Sequence, residues 1–213
     1  MSAAARHPGD VVSPSLAAVK ARFPGAVRRH QVSCGDTILY LAPDRAHQVL
    51  AWLRDDPGQR FDYLTDITAV EYRDRERGLE VVWQLRSLPR KVDLRVKVEL
   101  DRGSALEVDS VYDLWKGADW LEREAFDMFG VKFRGHPDLR RILMWETYAE
   151  GFPLRKDFPL RGHFSRAEQT RQALAANPEA HYSLEELSIA AAYDELPTDM
   201  KERLAHGERG TVS

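Results

Sequence analysis

The sequence predicts a two-layer α/β fold of the α+β kind, a mainly antiparallel sheet covered by helices, followed by an extended C-terminal loop and tail. Three observations carry this expectation. Val92, Leu94, Val96, Val98 and Leu100 alternate with Asp93, Arg95, Lys97 and Glu99 without exception, the period of a strand with one buried face. Two neighbouring runs, 61–72 and 79–86, have strand texture and are joined to it by short polar turns. Segments with helical spacing lie on either side of this block and are available to cover its apolar face.

Each element follows in order. Residues 1–13 are small and polar and are expected to fray. Pro14 opens a helix over 15–23 that places Leu16, Val19 and Phe23 on one face. A short strand over 37–41 is followed by a helix from Pro43 to about Asp55, stopped by Asp56-Pro57-Gly58. Strands over 61–72, 79–86 and 92–100 form a meander, with Asp74–Gly78 and Asp101–Gly103 as turns and a fourth strand over 106–112. Ala118 to Phe129 is a helix with Leu121, Ala125, Met128 and Phe129 on one face, and Gly130 is placed to end it. Residues 131–161 have little periodicity but many Gly, Pro, Arg and aromatic side chains, so they are expected to form an ordered surface loop. The tail, 163–213, holds nine acidic against five Lys/Arg residues and two capping-box patterns, Ser165-x-x-Glu168 and Ser183-x-x-Glu186. It has too few large apolar residues for its own core and is expected to pack on a partner. The chain therefore divides into a domain over 1–162 and an acidic tail over 163–213.

Composition narrows the function. At 213 residues and 43% apolar content, one domain with a real core is expected. A net charge of -3 argues against a globally basic nucleic-acid binder. No apolar run approaches the ~18 residues of a membrane-spanning helix, and the N-terminus lacks a signal-peptide core, so a cytosolic chain is expected. The single cysteine, Cys34, excludes an internal disulfide, a Cys-based zinc knuckle and a self-contained iron–sulfur cluster.

The densest polar constellation is Glu122-Arg123-Glu124 with Asp127, then His136. As a carboxylate/histidine metal site it would serve a stand-alone hydrolase, but no Glu-x-x-His or His-x-x-x-His pair completes a shell. Arg123 stands four residues before Asp127, where a helix-local ion pair is the plainer outcome. His136 could act as a base, yet a turn-fixing histidine is the simpler reading. The basic stretch Lys132–Arg141 suits RNA or phosphate less well than a docking face. No phosphate loop, Rossmann fingerprint or Walker motif occurs. A chain with a good core, no cofactor box and a long irregular charged segment reads as one component of an assembly.

The run Gly117-Ala-Asp-Trp-Leu-Glu-Arg-Glu-Ala-Phe-Asp-Met-Phe-Gly130, then Phe133-x-Gly-His-Pro-Asp-Leu-Arg-Arg-Ile-Leu143, resembles the signature of the 30 kDa subunit (C-subunit) family of NADH:quinone oxidoreductase, respiratory complex I. Glu150-Gly-Phe-Pro-Leu-Arg-Lys-Asp157 and Phe61-Asp-Tyr-Leu-Thr-Asp-Ile-Thr-Ala-Val70 extend the likeness over about residues 50–161, and Trp145 departs from the smaller residue expected there. The resemblance implies a peripheral subunit of the hydrophilic arm on the cytoplasmic side of the inner membrane. It implies the quinone-reducing D-subunit as neighbour, near the quinone site. It also implies FMN, iron–sulfur clusters and quinone in partner subunits, with no cofactor, metal or active site in this chain. Equivalent chains serve membrane-bound hydrogenases and related dehydrogenases. On this reading Glu122, Glu124, Asp127, His136, Arg140, Arg141, Arg155, Lys156 and Asp157 form a partner interface, some pairing with each other to hold the loop and others facing the neighbour.

Overall fold

A computed structural model of the chain describes residues 12–73, 78–101, 105–160, 162–176 and 198. The chain divides into two compact units, Met1–His163 and Phe164–Ser213. In the first unit the elements run α1 (Pro14–Arg22), β1 (Val27–Ser33), β2 (Asp36–Leu41), a 3-10 turn (Pro43–Arg45), α2 (Ala46–Asp55), β3 (Tyr63–Glu71), β4 (Leu79–Ser87), β5 (Val92–Leu100), β6 (Glu107–Asp109), α3 (Ala118–Phe129) and β7 (Lys132–Arg134).

The main sheet has the order β1-β2-β5-β4-β3. The meander β3-β4-β5 is antiparallel throughout, as the short connections between its strands predict. Its register sets one apolar face in rows: Leu39 beside Val96, Val96 beside Trp83, Trp83 beside Ile67; then Leu41, Val98, Val81 and Ala69. Leu16 and Val19 of α1 and Val49, Leu50 and Leu53 of α2 join these residues in one core. Trp83 is fully buried within it.

The opposite face carries the polar half of the alternation. Glu80 is buried there among Lys97 Nζ at 2.7 Å, Tyr72 Oη at 2.9 Å and Arg29 at 3.7 Å. Arg29 also pairs with Glu99 and stacks over Tyr40, and Arg95 bridges Gln84 and Asp36. Glu80 stands directly opposite Glu99 across the ladder, so the Arg29 and Lys97 cations relieve a like-charge pair.

Three features differ from the sequence expectation. Strand β1 is absent from that expectation, because Val-Arg-Arg-His-Gln-Val-Ser is an exposed edge strand with no apolar alternation. It reaches β2 through a two-residue turn in which Cys34 and Gly35 both have positive φ, the backbone of a type I′ hairpin. β2 then joins β5 in parallel, so the sheet is mixed. Finally, 106–112 does not extend the meander: only Glu107–Asp109 is a strand, and it pairs in parallel with β7 in a separate two-stranded sheet.

In the second unit one helix is described, α4 (Arg166–Ala176). Ser165 Oγ accepts from the Glu168 N–H at 3.3 Å, the forward half of the first capping box. The second box, at Ser183, lies outside the described residues, as does most of the predicted tail, and so do 74–77 and 102–104 of the two predicted turns.

Candidate functional site

Helix α3 and the irregular segment after β7 are bound together by buried polar groups. α3 has an apolar stripe against β3 and the core, and Gly130 ends it in the left-handed region at φ 80°. A Cβ on Gly130 would lie 2.5 Å from the Phe152 ring, so the helix end and the loop meet there at closest approach. The terminal carbonyls of α3 find partners in that loop. Leu154 N–H donates to Met128 O at 3.1 Å, and the Arg155 guanidinium reaches Phe129 O at 3.4 Å.

Asp127 is the principal anchor. Its side chain is fully buried. Oδ1 accepts from Arg141 Nη1 at 2.6 Å, and Oδ2 accepts from the backbone N–H groups of Ile142, Leu143 and Met144 at 3.0, 2.8 and 2.8 Å. Burial raises its pKa, but these hydrogen bonds outweigh burial and hold it below the ordinary value. Arg141 also donates to Gly151 O and lies over the rings of Tyr148 and Phe152. Tyr148 in turn packs edge-on against Trp145, with ring centroids 4.9 Å apart.

Arg123 does not pair with Asp127 in the helix-local manner the spacing suggests. It donates to the carbonyls of Arg140 and Arg141 at 3.1 and 3.0 Å. The reason is that Asp127 is already occupied by the loop, while Arg123 clasps the same loop through its backbone.

Glu122 is equally buried but turned the other way. Its carboxylate accepts from Ser110 Oγ at 2.6 Å and from the Val111 N–H at 2.7 Å, tying α3 to the segment that follows β6. Burial dominates here and raises its pKa to about 7, against the lowering effect of those two donors. His136 fixes the turn after β7. Its Nδ1 accepts from the Asp138 N–H at 3.1 Å, which places the ring proton on Nε2, 3.2 Å from Asp119 O.

A third anchor lies outside the residues the sequence singles out. Glu71, at the end of β3, falls in the same phase as Ile67 and Ala69 and is buried at the core face. It accepts from the Lys156 N–H at 2.6 Å and lies 3.7 Å from Arg155 Nε. The available signal is a carboxylate occupying an apolar phase of a strand.

The nine candidate interface residues thus separate. Asp127 and Arg141 hold the segment from inside, Glu122 is buried against the residues that follow β6, and the His136 side chain is enclosed. Arg155 is only 20% exposed. Glu124, Arg140, Lys156 and Asp157 are exposed. Four large apolar side chains are exposed on the same segments: Trp120 on α3 and Leu143, Leu154 and Leu160 on the loop. Glu122 and Asp127 turn to different partners and Glu124 is exposed, and among the described residues no group of three His, Cys, Asp or Glu is placed to hold a metal ion. No helix of the described residues is long and apolar enough to cross a membrane.

Residues 39–164, from within β2 through the anchored segment, match the family described as "Respiratory-chain NADH dehydrogenase, 30 Kd subunit". The chain belongs to this family. Among its relatives, the NADH-quinone oxidoreductase C-subunit 2 of Rhizobium etli (strain CIAT 652) is 42% identical over 154 residues, 71% of this chain and 81% of its own length. The NADH-quinone oxidoreductase C-subunit of Azorhizobium caulinodans is 44% identical over 154 residues, 72% of each chain. A chain of the solved membrane-bound sulfane sulfur reductase, an archaeal respiratory membrane complex, has a TM-score of 0.58 over 74% of this chain and 88% of its own, at 21% identity. That last likeness speaks to the fold alone. The 30 Kd family match encloses the meander, α3 and all three anchors, and leaves α1 and β1 outside.

Proposed function

We propose that this chain is a non-catalytic subunit of the hydrophilic arm of a proton-translocating NADH:quinone oxidoreductase, docking the quinone-reducing D-subunit and so supporting electron transfer from NADH to quinone. Its association with the cytoplasmic face of the inner membrane is through the complex, and the FMN, iron–sulfur clusters and quinone belong to partner subunits.

One observation carries the docking reading. An irregular segment is pinned by two buried carboxylates, Asp127 and Glu71, and lies against a helix that a third, Glu122, ties to the scaffold; together they still present Trp120 of α3 and Leu143, Leu154 and Leu160 of the segment to solvent. A rigid surface with exposed aromatic and aliphatic anchors is what a protein interface requires, because ordering costs are already met before association. The names of the sequence relatives support this reading of the complex.

The test is a Trp120→Asp variant expressed in place of the wild-type chain. Loss of an aromatic anchor at the centre of an interface typically costs about 2–4 kcal/mol. The expected outcome is depleted complex, with NADH:quinone activity lost in proportion and normal activity per assembled complex. Full assembly with lost turnover would contradict the docking account.

A further inference from the structure

The anchored segment builds a cleft of about 660 Å³ between residues 153–160 and Arg73. We infer that this cleft receives an acidic peptide segment of a partner subunit. The inference rests on the docking reading above and adds the chemistry of the occupant.

Charge points to the occupant first. Arg73, Arg155 and Lys156 line the cleft against one described carboxylate, Asp157. Glu71 lies 3.7 Å from Arg155 and answers part of its charge. Arg155 Nε is buried without a hydrogen bond, and its nearest carboxylate oxygens, on Glu71 and Asp157, are each 3.7 Å away. Arg73 and Lys156 are exposed. Two exposed cations beside a partly exposed guanidinium suit a carboxylate.

Rigidity points the same way. The backbone of the wall is fixed by Leu154 N–H to Met128 O, Lys156 N–H to Glu71 and Phe158 N–H to Arg155 O. The cleft is therefore formed before anything enters it, and its volume is in the range that holds a drug-sized group, or a few peptide residues. Leu154 and Leu160 are exposed at 50% and 103% beside the cations. Apolar neighbours and the Asp157 carboxylate suit a peptide that mixes acidic and apolar side chains, and they disfavour a dense polyanion such as a nucleic acid.

The experiment uses the assembled complex. A photo-cross-linking amino acid replaces Leu160, the complex is irradiated, and the adduct is identified by peptide mass spectrometry. The expected adduct lies on a single partner segment with Asp or Glu within a few residues of the cross-link. An adduct on a segment without carboxylates, on lipid, or on no protein overturns the inference. In parallel, Arg73→Glu with Lys156→Glu is expected to weaken retention of the chain in the complex by roughly tenfold or more, and the difference from wild type is expected to shrink at high salt. Normal retention of that double variant overturns the cleft inference by itself. Trp120→Asp reports separately on docking: if it depletes the complex while the cleft variants do not, the docking reading stands and the acidic occupant falls. If the double variant and Trp120→Asp both assemble fully, both readings fall.

Discussion

Glu122 and Asp127 occupy the same helix, are both fully buried, and are driven in opposite directions by what faces them. Asp127 meets a guanidinium and three backbone donors; Glu122 meets one hydroxyl and one N–H. Their contributions to pH-dependent stability therefore have opposite signs. The pKa of Asp127 is lower in the folded state, so its contribution is present above the unfolded value of ~3.9 and lost as the pH falls through the folded value. Glu122 binds its proton more tightly when folded, so its contribution is full below an ordinary value of 4.5 and lost as the pH rises through about 7. Thermal melts across pH 4–8 are expected to show Tm falling toward pH 8, and Glu122→Gln is expected to remove most of that fall while retaining an acceptor for Val111. A wild-type Tm that rises steadily to pH 8, with Glu122→Gln running parallel, would contradict this. Asp127→Asn has no such relief. Its amide must turn an N–H₂ toward either Arg141 or three backbone donors, and a loss of about 3–5 kcal/mol is expected by denaturant titration. The sequence reveals that these residues are dense and polar. It does not reveal which are inside, because 122, 124 and 127 are all carboxylates and only tertiary packing separates Glu124 from its neighbours.

Among the elements, legibility follows how one-sided the burial is. β5 is legible along its whole length because the main-sheet neighbours β2 and β4 leave it one apolar and one polar face. β1 is illegible because an exposed edge strand has no face to mark. Alternation fixes which side chains share a face but not which strand is the neighbour or in which direction it runs, so the parallel β2–β5 pairing leaves no trace in the sequence. Helix α3 is legible from end to end, and its stop illustrates why. Gly130 adopts a conformation that an L side chain disfavours by about 1–2 kcal/mol, and an added methyl group would also displace the Phe152 ring. Gly130→Ala is therefore expected to destabilise the chain by about 2 kcal/mol or more and to loosen the 150–156 segment, read as faster amide exchange at Leu154. Gly78 is tighter still: a Cβ there would lie 2.0 Å from Leu100 O, a backbone atom of the adjoining strand. Gly78→Ala is expected to lower the yield of folded chain, measured by gel filtration, more than Gly130→Ala does.

For the whole molecule, the division between inward and outward charge predicts two different failures from adjacent residues. Arg140 is exposed and its side chain pairs locally with Asp138, whereas Arg141 is largely enclosed on Asp127. Arg140→Glu is expected to leave the melting curve of the isolated chain within about 0.5 kcal/mol of wild type and to act only on assembly. Arg141→Glu is expected to unfold the anchored segment itself, by placing a second carboxylate against Asp127. Circular dichroism melts and retention in the complex, measured on both variants, separate the two. The order of the sheet has a further consequence, for the time at which this structure is made. β5 is the central strand, and β2 reaches it only through contacts distant in sequence, such as Leu39 with Val96. Contacts of that kind form slowly, whereas β3, β4 and β5 close sequentially through short turns. During synthesis the hairpin β1–β2 leaves the ribosome well before the strand it must pair with, and α1 and α2 emerge without the floor they cover. The apolar residues of β2, α1 and α2 therefore wait uncovered until Val98 has cleared the exit tunnel, even though they are made before the strand that completes their core.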